Sequence, residues 1–179
     1  QNPDLNGMGC ALVGVIVDDR GASWVSVGDS PLRLYRDGKL RRLNKDHSMK
    51  PVLEALVADG ELTSEEAARD RRRSALRSAL MGDEVPLVDI SEEPVALLSG
   101  DKLILASDGL ETLSVEAIED ILKSLPADTP SQVVADALVD TVIQAGKPNQ
   151  DNTTVIVMTL GASPGGTLEP EKPITGGSN

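Results

Sequence analysis

The sequence predicts an α+β fold whose strands are mostly antiparallel. Three observations carry that prediction. Paired β-rich segments joined by turn residues fill the first 43 positions, helical spacing appears in the middle and again over residues 114–146, and further strand patterns stand between and after these helices.

Cys10 to Val17 (CALVGVIV) is a continuous apolar run, which predicts a strand buried in the middle of a packed sheet. Asp18 to Gly21 is turn chemistry, and Ala22 to Val27 (ASWVSV) alternates, so the two segments form an antiparallel hairpin. After the break Gly28-Asp29-Ser30-Pro31, the segments Leu32 to Arg36 and Lys39 to Leu43 flank Asp37-Gly38, a dipeptide suited to a two-residue hairpin turn. These four segments predict a four-stranded antiparallel meander. Between Asn44 and Val85 the pattern becomes helical, with Val52, Leu53, Leu56 and Val57 on one stripe and a capping box at Thr63-x-x-Glu66. Strand pattern returns at Val85 to Ile90 and at Lys102 to Ala106. Two helices follow, one opening at Ser114 with Ile118, Ile121 and Leu122 on one face, the other at Thr129-Pro130 with Val134, Leu138 and Val142 inward and Gly146 as its stop. Thr153 to Thr159 is the last strand. Residues 161–179 are rich in Gly, Pro, Ser and Thr and read as a flexible tail.

Composition narrows the functional classes. The 179 residues suit one domain, and with one Trp, one Tyr and no Phe the core is aliphatic. A formal net charge of -12 opposes binding to nucleic acid or to anionic membrane surfaces. A lone cysteine, Cys10, excludes an internal disulfide and reads as a buried packing residue, and no apolar run approaches a membrane span. The composition is that of a cytoplasmic protein. The chain opens at Gln1 without an initiator methionine and reads as a piece of something longer.

Three aspartates stand at predicted strand ends beside turn residues: Asp29 in VGDS, Asp108 in ASDGL and Asp151 in QDNTT. Each alone reads as turn chemistry. Converging, they would form an all-oxygen site for a hard cation such as Mg²⁺ or Mn²⁺. Spacing alone does not decide between these readings.

Taken in order, GMGCALVGVIV (Gly7 to Val17), WVSVGDSPLRLYRDGKL (Trp24 to Leu40), NKDHS (Asn44 to Ser48), GDKLILASDGL (Gly100 to Leu110) and DNTTVIVM (Asp151 to Met158) resemble the successive motifs of the metal-dependent type-2C serine/threonine protein phosphatases. The resemblance covers about Gly7 to Leu160. It implies a mostly antiparallel β-sandwich flanked by helices, with two or three Mn²⁺ or Mg²⁺ ions in a cleft of the complete domain. It implies dephosphorylation of phosphoserine and phosphothreonine proteins by a metal-activated water, without a covalent phosphoenzyme. By position Asp108 and Asp151 match ligands of one of the paired metals, and Asp29 matches a ligand of the third metal found in bacterial members.

The same resemblance marks a departure. Family members carry, upstream of the GMG segment, an early Asp, in some members an Arg that binds phosphate, and a DGxxG motif whose Asp bridges both metals, whereas six residues precede Gly7 here. The expectation is a type-2C-like domain over residues 1–160, incomplete at its N-terminus, with a helical flap at 44–85. This chain by itself would be inactive or impaired. Loss of first strands would also leave an exposed sheet edge that favours self-association. The alternative is a pseudophosphatase or protein-interaction module that has kept the sandwich without catalysis.

Two further features compete for roles. Arg69, Arg71, Arg72, Arg73 and Arg77 form a basic cluster in the flap region, with Arg69, Arg73 and Arg77 at four-residue helical spacing. Arg73 and Arg77 are candidates for binding the substrate phosphoryl group; the plain reading is a solvated face offsetting Glu65 and Glu66. His47, the sole histidine, could protonate a leaving alkoxide but reads as structural.

Overall fold

The structure, a computed structural model, describes residues 7–148 and 150–161, so the predicted tail after residue 161 lies outside the described residues. Two antiparallel sheets and a helical layer are stacked on one another. In the first sheet, β1 (Leu12–Asp18) and β2 (Gly21–Val27) form a hairpin in register from Leu12 opposite Val27 to Asp18 opposite Gly21, and the two-residue β5 (Asp89–Ile90) adds to β2. The second sheet has the order β4-β3-β6-β7, with β3 Leu32–Arg36, β4 Lys39–Arg42, β6 Lys102–Ala106 and β7 Val155–Thr159. All pairings are antiparallel.

Alternation along the strands builds two cores. Ala22, Leu32, Leu34 and Leu103 are fully buried between the sheets, joined there by Val13, Val15, Val17 and Trp24. The next residue of β6, Ile104, points the other way, into Leu110, Ile118, Leu122, Val134, Leu138 and Val142 beneath the helices α3 (Val115–Ser124) and α4 (Ser131–Ala145). Adjacent positions of a strand face opposite sides, so β6 is covered on both. Each fully buried aliphatic side chain contributes about 1.5–3 kcal/mol. Ser114 caps α3 by accepting from Ala117 N, and α4 ends at Gly146 in the left-handed region. Between β4 and β5 lie α1 (Lys50–Ala58) and the short α2 (Ser64–Arg69), whose Thr63–Glu66 capping box forms as predicted.

Several expectations are corrected. The first four strands are not a meander, because β2 pairs with β1 and β5 while β3 pairs with β4 and β6. The turn at residues 28–31, with Gly28 at φ 98° and a buried Pro31, carries the chain from one sheet to the other. Nor is β1 buried in mid-sheet. It is an edge strand whose inward residues Val13, Val15 and Val17 pack on the core while Leu12 and Ile16 on the other face are exposed. An apolar run on both faces looks the same in sequence whether one face or two are covered. The segment predicted as a strand over Val85 to Ile90 pairs only at Asp89–Ile90. Cys10 is exposed rather than buried. Finally, α2 ends at Arg69 and Asp70 is extended, so Arg73 and Arg77 do not share a helical face with Arg69. A four-residue spacing is meaningful only while the helix continues.

Candidate functional site

The β3–β6 ladder sets the geometry. It pairs Leu32 with Leu105, and Ala106 N donates to Pro31 O at 3.1 Å just beyond the last pair. Asp29 precedes Leu32 by three residues and Asp108 follows Leu105 by three, so the ladder brings both carboxylates to one end of the sandwich.

The Asp29 turn is held from below by two buried side chains. Asn44 accepts from Leu32 N at 2.8 Å and donates to Ser30 O at 2.9 Å and Ser26 Oγ at 3.1 Å. His47 N donates to Gly28 O at 3.1 Å, while Gly28 N donates back to His47 Nδ1 at 3.3 Å. Asp29 itself is buried, 7% exposed. Burial pushes its carboxyl above the usual carboxylate range, and the charges of Asp108 and Asp46 push it further, with Lys50 opposing.

Asp108 opens a 3-10 helix, Asp108–Thr112, directly after β6. Ser107 fastens this corner to the approach of β7: its N donates to Thr154 O at 3.0 Å, its Oγ donates to Asn152 O at 3.0 Å, and Thr154 N donates to that Oγ at 3.0 Å. Gly109 makes the approach feasible. A Cβ there would lie 2.6 Å from Asn152 O and closer still to Thr153 Oγ1. Asp151 stands at the start of this segment but is exposed, its carboxylate accepting from Asn152 N at 2.8 Å.

Of the three predicted aspartates, Asp29 and Asp108 are thus near enough to repel each other, while Asp151 remains at the surface. Among the described residues no three His, Cys, Asp or Glu side chains are grouped so as to hold a metal ion. The raised Asp29 carboxyl and its like-charged neighbours suit the oxygen chemistry of a hard cation. They supply part of a donor set and not a closed centre.

The sequence reading missed the charged network around this pair. Glu111, three residues after Asp108, is approached by three cations: Arg42 Nη1 at 3.2 Å, Arg33 Nη2 at 3.4 Å and Lys50 Nζ. Arg42 also reaches Asp46 Oδ2 at 3.2 Å and Asp29 O at 2.6 Å. Burial acts upward on Asp46, but hydrogen bonds from Ser48 and the charges of Arg42 and Lys50 outweigh it and hold its carboxyl below the usual range. Burial pulls the Arg33 guanidinium below its ordinary value. Two signals were available: Glu111 follows the SDGL motif directly, and Arg42 lies two residues from the core-facing Leu40 and so on the same face of β4.

Four of the five arginines of the basic cluster are engaged within the chain, Arg72 with Asp70 at 2.8 Å. Arg77 donates to Ser48 O at 3.0 Å and Asp46 O at 3.4 Å, whereas Arg73 pairs with Glu54 at 3.4 Å and Arg69 with Glu65 at 3.9 Å. His47 is buried and makes the structural contacts just described, and burial lowers its imidazole below the ordinary value.

No family model matches the chain. Over 159 residues it is 35% identical to the serine/threonine protein phosphatase PstP of Mycobacterium tuberculosis, covering 88% of this chain and 28% of that protein. The PPM Ser-Thr phosphatase MsPP of Mycobacterium smegmatis, solved in complex with cacodylate, is similar with a TM-score of 0.65 and 36% identity over 84% of this chain and 62% of that one. The catalytic domain of PstP, solved in complex with two manganese ions, gives a TM-score of 0.61 and 31% identity over 88% and 62% of the two chains. The α+β architecture is similar to that of these solved phosphatase chains. In sequence and fold the chain is similar to PPM, or type-2C, serine/threonine phosphatases. It spans 28% of the length of the curated relative and 62% of each solved chain.

Proposed function

We propose that these residues form part of a metal-dependent phosphatase domain that removes phosphate from phosphoserine and phosphothreonine proteins, with Mn²⁺ or Mg²⁺ as cofactor. The observation that carries this reading is the buried Asp29, its carboxyl pushed upward by burial and by the charge of the partly exposed Asp108, at one end of a sandwich similar to that of the manganese-containing PstP domain. When bound, the cofactor supplies an acidified water and positive charge to offset the phosphoryl oxygens. The chain's own part is to hold oxygen ligands, Asp108 and Asp29 on rigid strand ends and Asp151 on the segment bonded to Ser107. Arg73 and Arg77 are proposed to meet the substrate from the 44–85 flap. Residues 1–160 are proposed as one domain, cytoplasmic in location. The described residues contain no helix long and apolar enough to cross a membrane.

A second reading, an interaction module without catalysis, is favoured by the surface position of Asp151. Another feature favours self-association: the outer face of the first sheet exposes Leu12, Ile16, Val25 and Ile90, the last three lining a depression of about 530 Å³.

The deciding experiment is Mn²⁺-dependent hydrolysis of a phosphothreonine peptide by the full-length protein, with Asp108→Asn beside it. Hydrolysis that needs Mn²⁺ and disappears in the variant is the expected result. Hydrolysis equal in both proteins overturns the assignment of Asp108, and none in either transfers the case to the interaction module.

A further inference from the structure

We propose that Arg42 is a positioning residue that locks the Asp29 turn to the helix beginning at Asp108, fixing the separation of the two carboxylates; its bearing on metal binding rests on the function proposed above. The guanidinium joins three segments: the Asp29 turn, residues 44–46 and the helix that carries Glu111. Its Nη2 donates to the main-chain carbonyl of Asp29 at 2.6 Å, its Nη1 to Glu111 Oε1 and Asp46 Oδ2, each at 3.2 Å, and its Nε to Asn44 Oδ1 at 3.2 Å.

The coupling to Asp108 follows from helix geometry. Residues three apart on a 3-10 helix eclipse one another, so Glu111 lies on the same side of the Asp108–Thr112 turn as Asp108. Holding the Glu111 carboxylate therefore fixes the rotation of the turn that carries Asp108. Holding the Asp29 carbonyl fixes the opposing turn through its main chain, leaving the Asp29 carboxylate clear of the guanidinium. One planar group acts on both ligand-bearing turns, which a single-point lysine ammonium cannot do.

The surrounding network allows Arg42 to be removed without stranding a charge. Glu111 retains Arg33 and Lys50, Asp46 retains Ser48 N at 2.8 Å, and Asn44 retains Leu32 N. What is lost is the tie between the turns. Arg41, its exposed neighbour on the opposite face of β4, is the matched control.

The test uses the full-length protein with Arg42→Ala, Arg42→Lys and Arg41→Ala. Amide hydrogen exchange is followed over residues 28–30 and 108–112, and Mn²⁺ affinity is read from the paramagnetic resonance of free Mn²⁺. Both Arg42 variants are expected to speed exchange in the two segments together and to weaken Mn²⁺ binding about tenfold, the lower end of what losing a supporting contact costs. The peptide KM and the exchange of β6 are expected to stay unchanged, as are all properties of Arg41→Ala. Unchanged exchange, acceleration in one segment alone, unchanged Mn²⁺ affinity despite faster exchange, or full rescue by lysine would each overturn the proposal. Should the wild-type protein bind no Mn²⁺, the phosphatase reading fails, and the paired exchange response then decides the lock by itself.

Discussion

Asp29 and Asp108 both stand beyond one end of the β3–β6 ladder, each three residues from the pair Leu32–Leu105. Two acidic groups are thereby set by strand register at one corner, Asp29 buried and Asp108 partly exposed, and burial together with the Asp108 charge raises the Asp29 carboxyl above its ordinary value. An arrangement that raises the energy of the metal-free chain is expected where a cation is to be held.

Replacement of that charge should therefore stabilise the metal-free protein. A carboxyl whose folded pKa lies above its unfolded value lowers stability at pH values above the folded pKa, and this effect vanishes below the unfolded value near 3.8. Asp29→Asn is expected to raise the urea midpoint in EDTA at pH 7 and to lose that advantage below pH 4. Mn²⁺ should protect the variant less than the wild type. A lower midpoint at pH 7 would show that Asp29 stabilises the turn by contacts that outweigh the repulsion.

Gly109 is expected to be intolerant for steric reasons. Its position against Asn152 and Thr153 leaves no room for a methyl group, and the obstructing atoms include main chain. Gly109→Ala should cost about 1–3 kcal/mol by overpacking, read in urea denaturation, and should push the Asp108 turn away from the segment bearing Asp151. Alanine at Gly100, which has positive φ but open space around it, provides the contrast: strain without a clash.

The parts of the fold that could be read in the sequence are those governed by local chemistry. The Asp37-Gly38 hairpin adopts positive φ at both residues, Ser114 and Thr63 cap their helices, and Val134, Leu138 and Val142 are all fully buried. What could not be read depends on contacts between distant segments. The partition of β1–β4 into two sheets is decided by β6 inserting beside β3, some seventy residues later in the chain. Arg42, Asp46 and Glu111 each look like surface charges in sequence and acquire a shared role only when the 3-10 helix packs over β4. The order of the motifs named the aspartates but said nothing about how buried each is, so Asp29 and the exposed Asp151 looked equivalent.

His47 should make stability fall as pH drops below neutrality. Its folded pKa lies below the unfolded value of 6.5 because burial disfavours the cation, aided by Arg77 and Arg42 and opposed by Asp89 and Asp46. The unfolded chain therefore takes up the proton first, and stability present above pH 6.5 declines as pH falls from there toward the folded value. The decline is limited to one proton, about 1.4 kcal/mol per pH unit at most. His47→Asn, whose carbonyl can accept from Gly28 N, should flatten the profile between pH 7 and 5.5 in urea titrations. An equally steep profile in the variant would place the titration elsewhere.

Asn44 is expected to be the most sensitive polar residue beneath the site. It is 5% exposed, and its amide is saturated, accepting from Leu32 N and Arg42 Nε and donating to Ser26 Oγ and Ser30 O. Those partners belong to both sheets and to the Asp29 turn between them, so no neighbour can move to replace the amide. Asn44→Ala leaves the Leu32 amide and the Ser30 carbonyl to be desolvated without partners, at about 1–3 kcal/mol for each group. With partial relaxation the expected loss is about 3 kcal/mol, or a drop of about 6–12 °C in Tm for a domain of this size. Asn44→Asp separates the two halves of the argument: the carboxylate keeps both acceptor contacts and gains charge attraction to Arg42, but it cannot donate to Ser26 or Ser30. If the donor half anchors the Asp29 turn, the aspartate variant should recover part of the stability while Mn²⁺ affinity stays reduced. Recovery of both would mean that the contacts to Leu32 and Arg42 suffice to hold the turn.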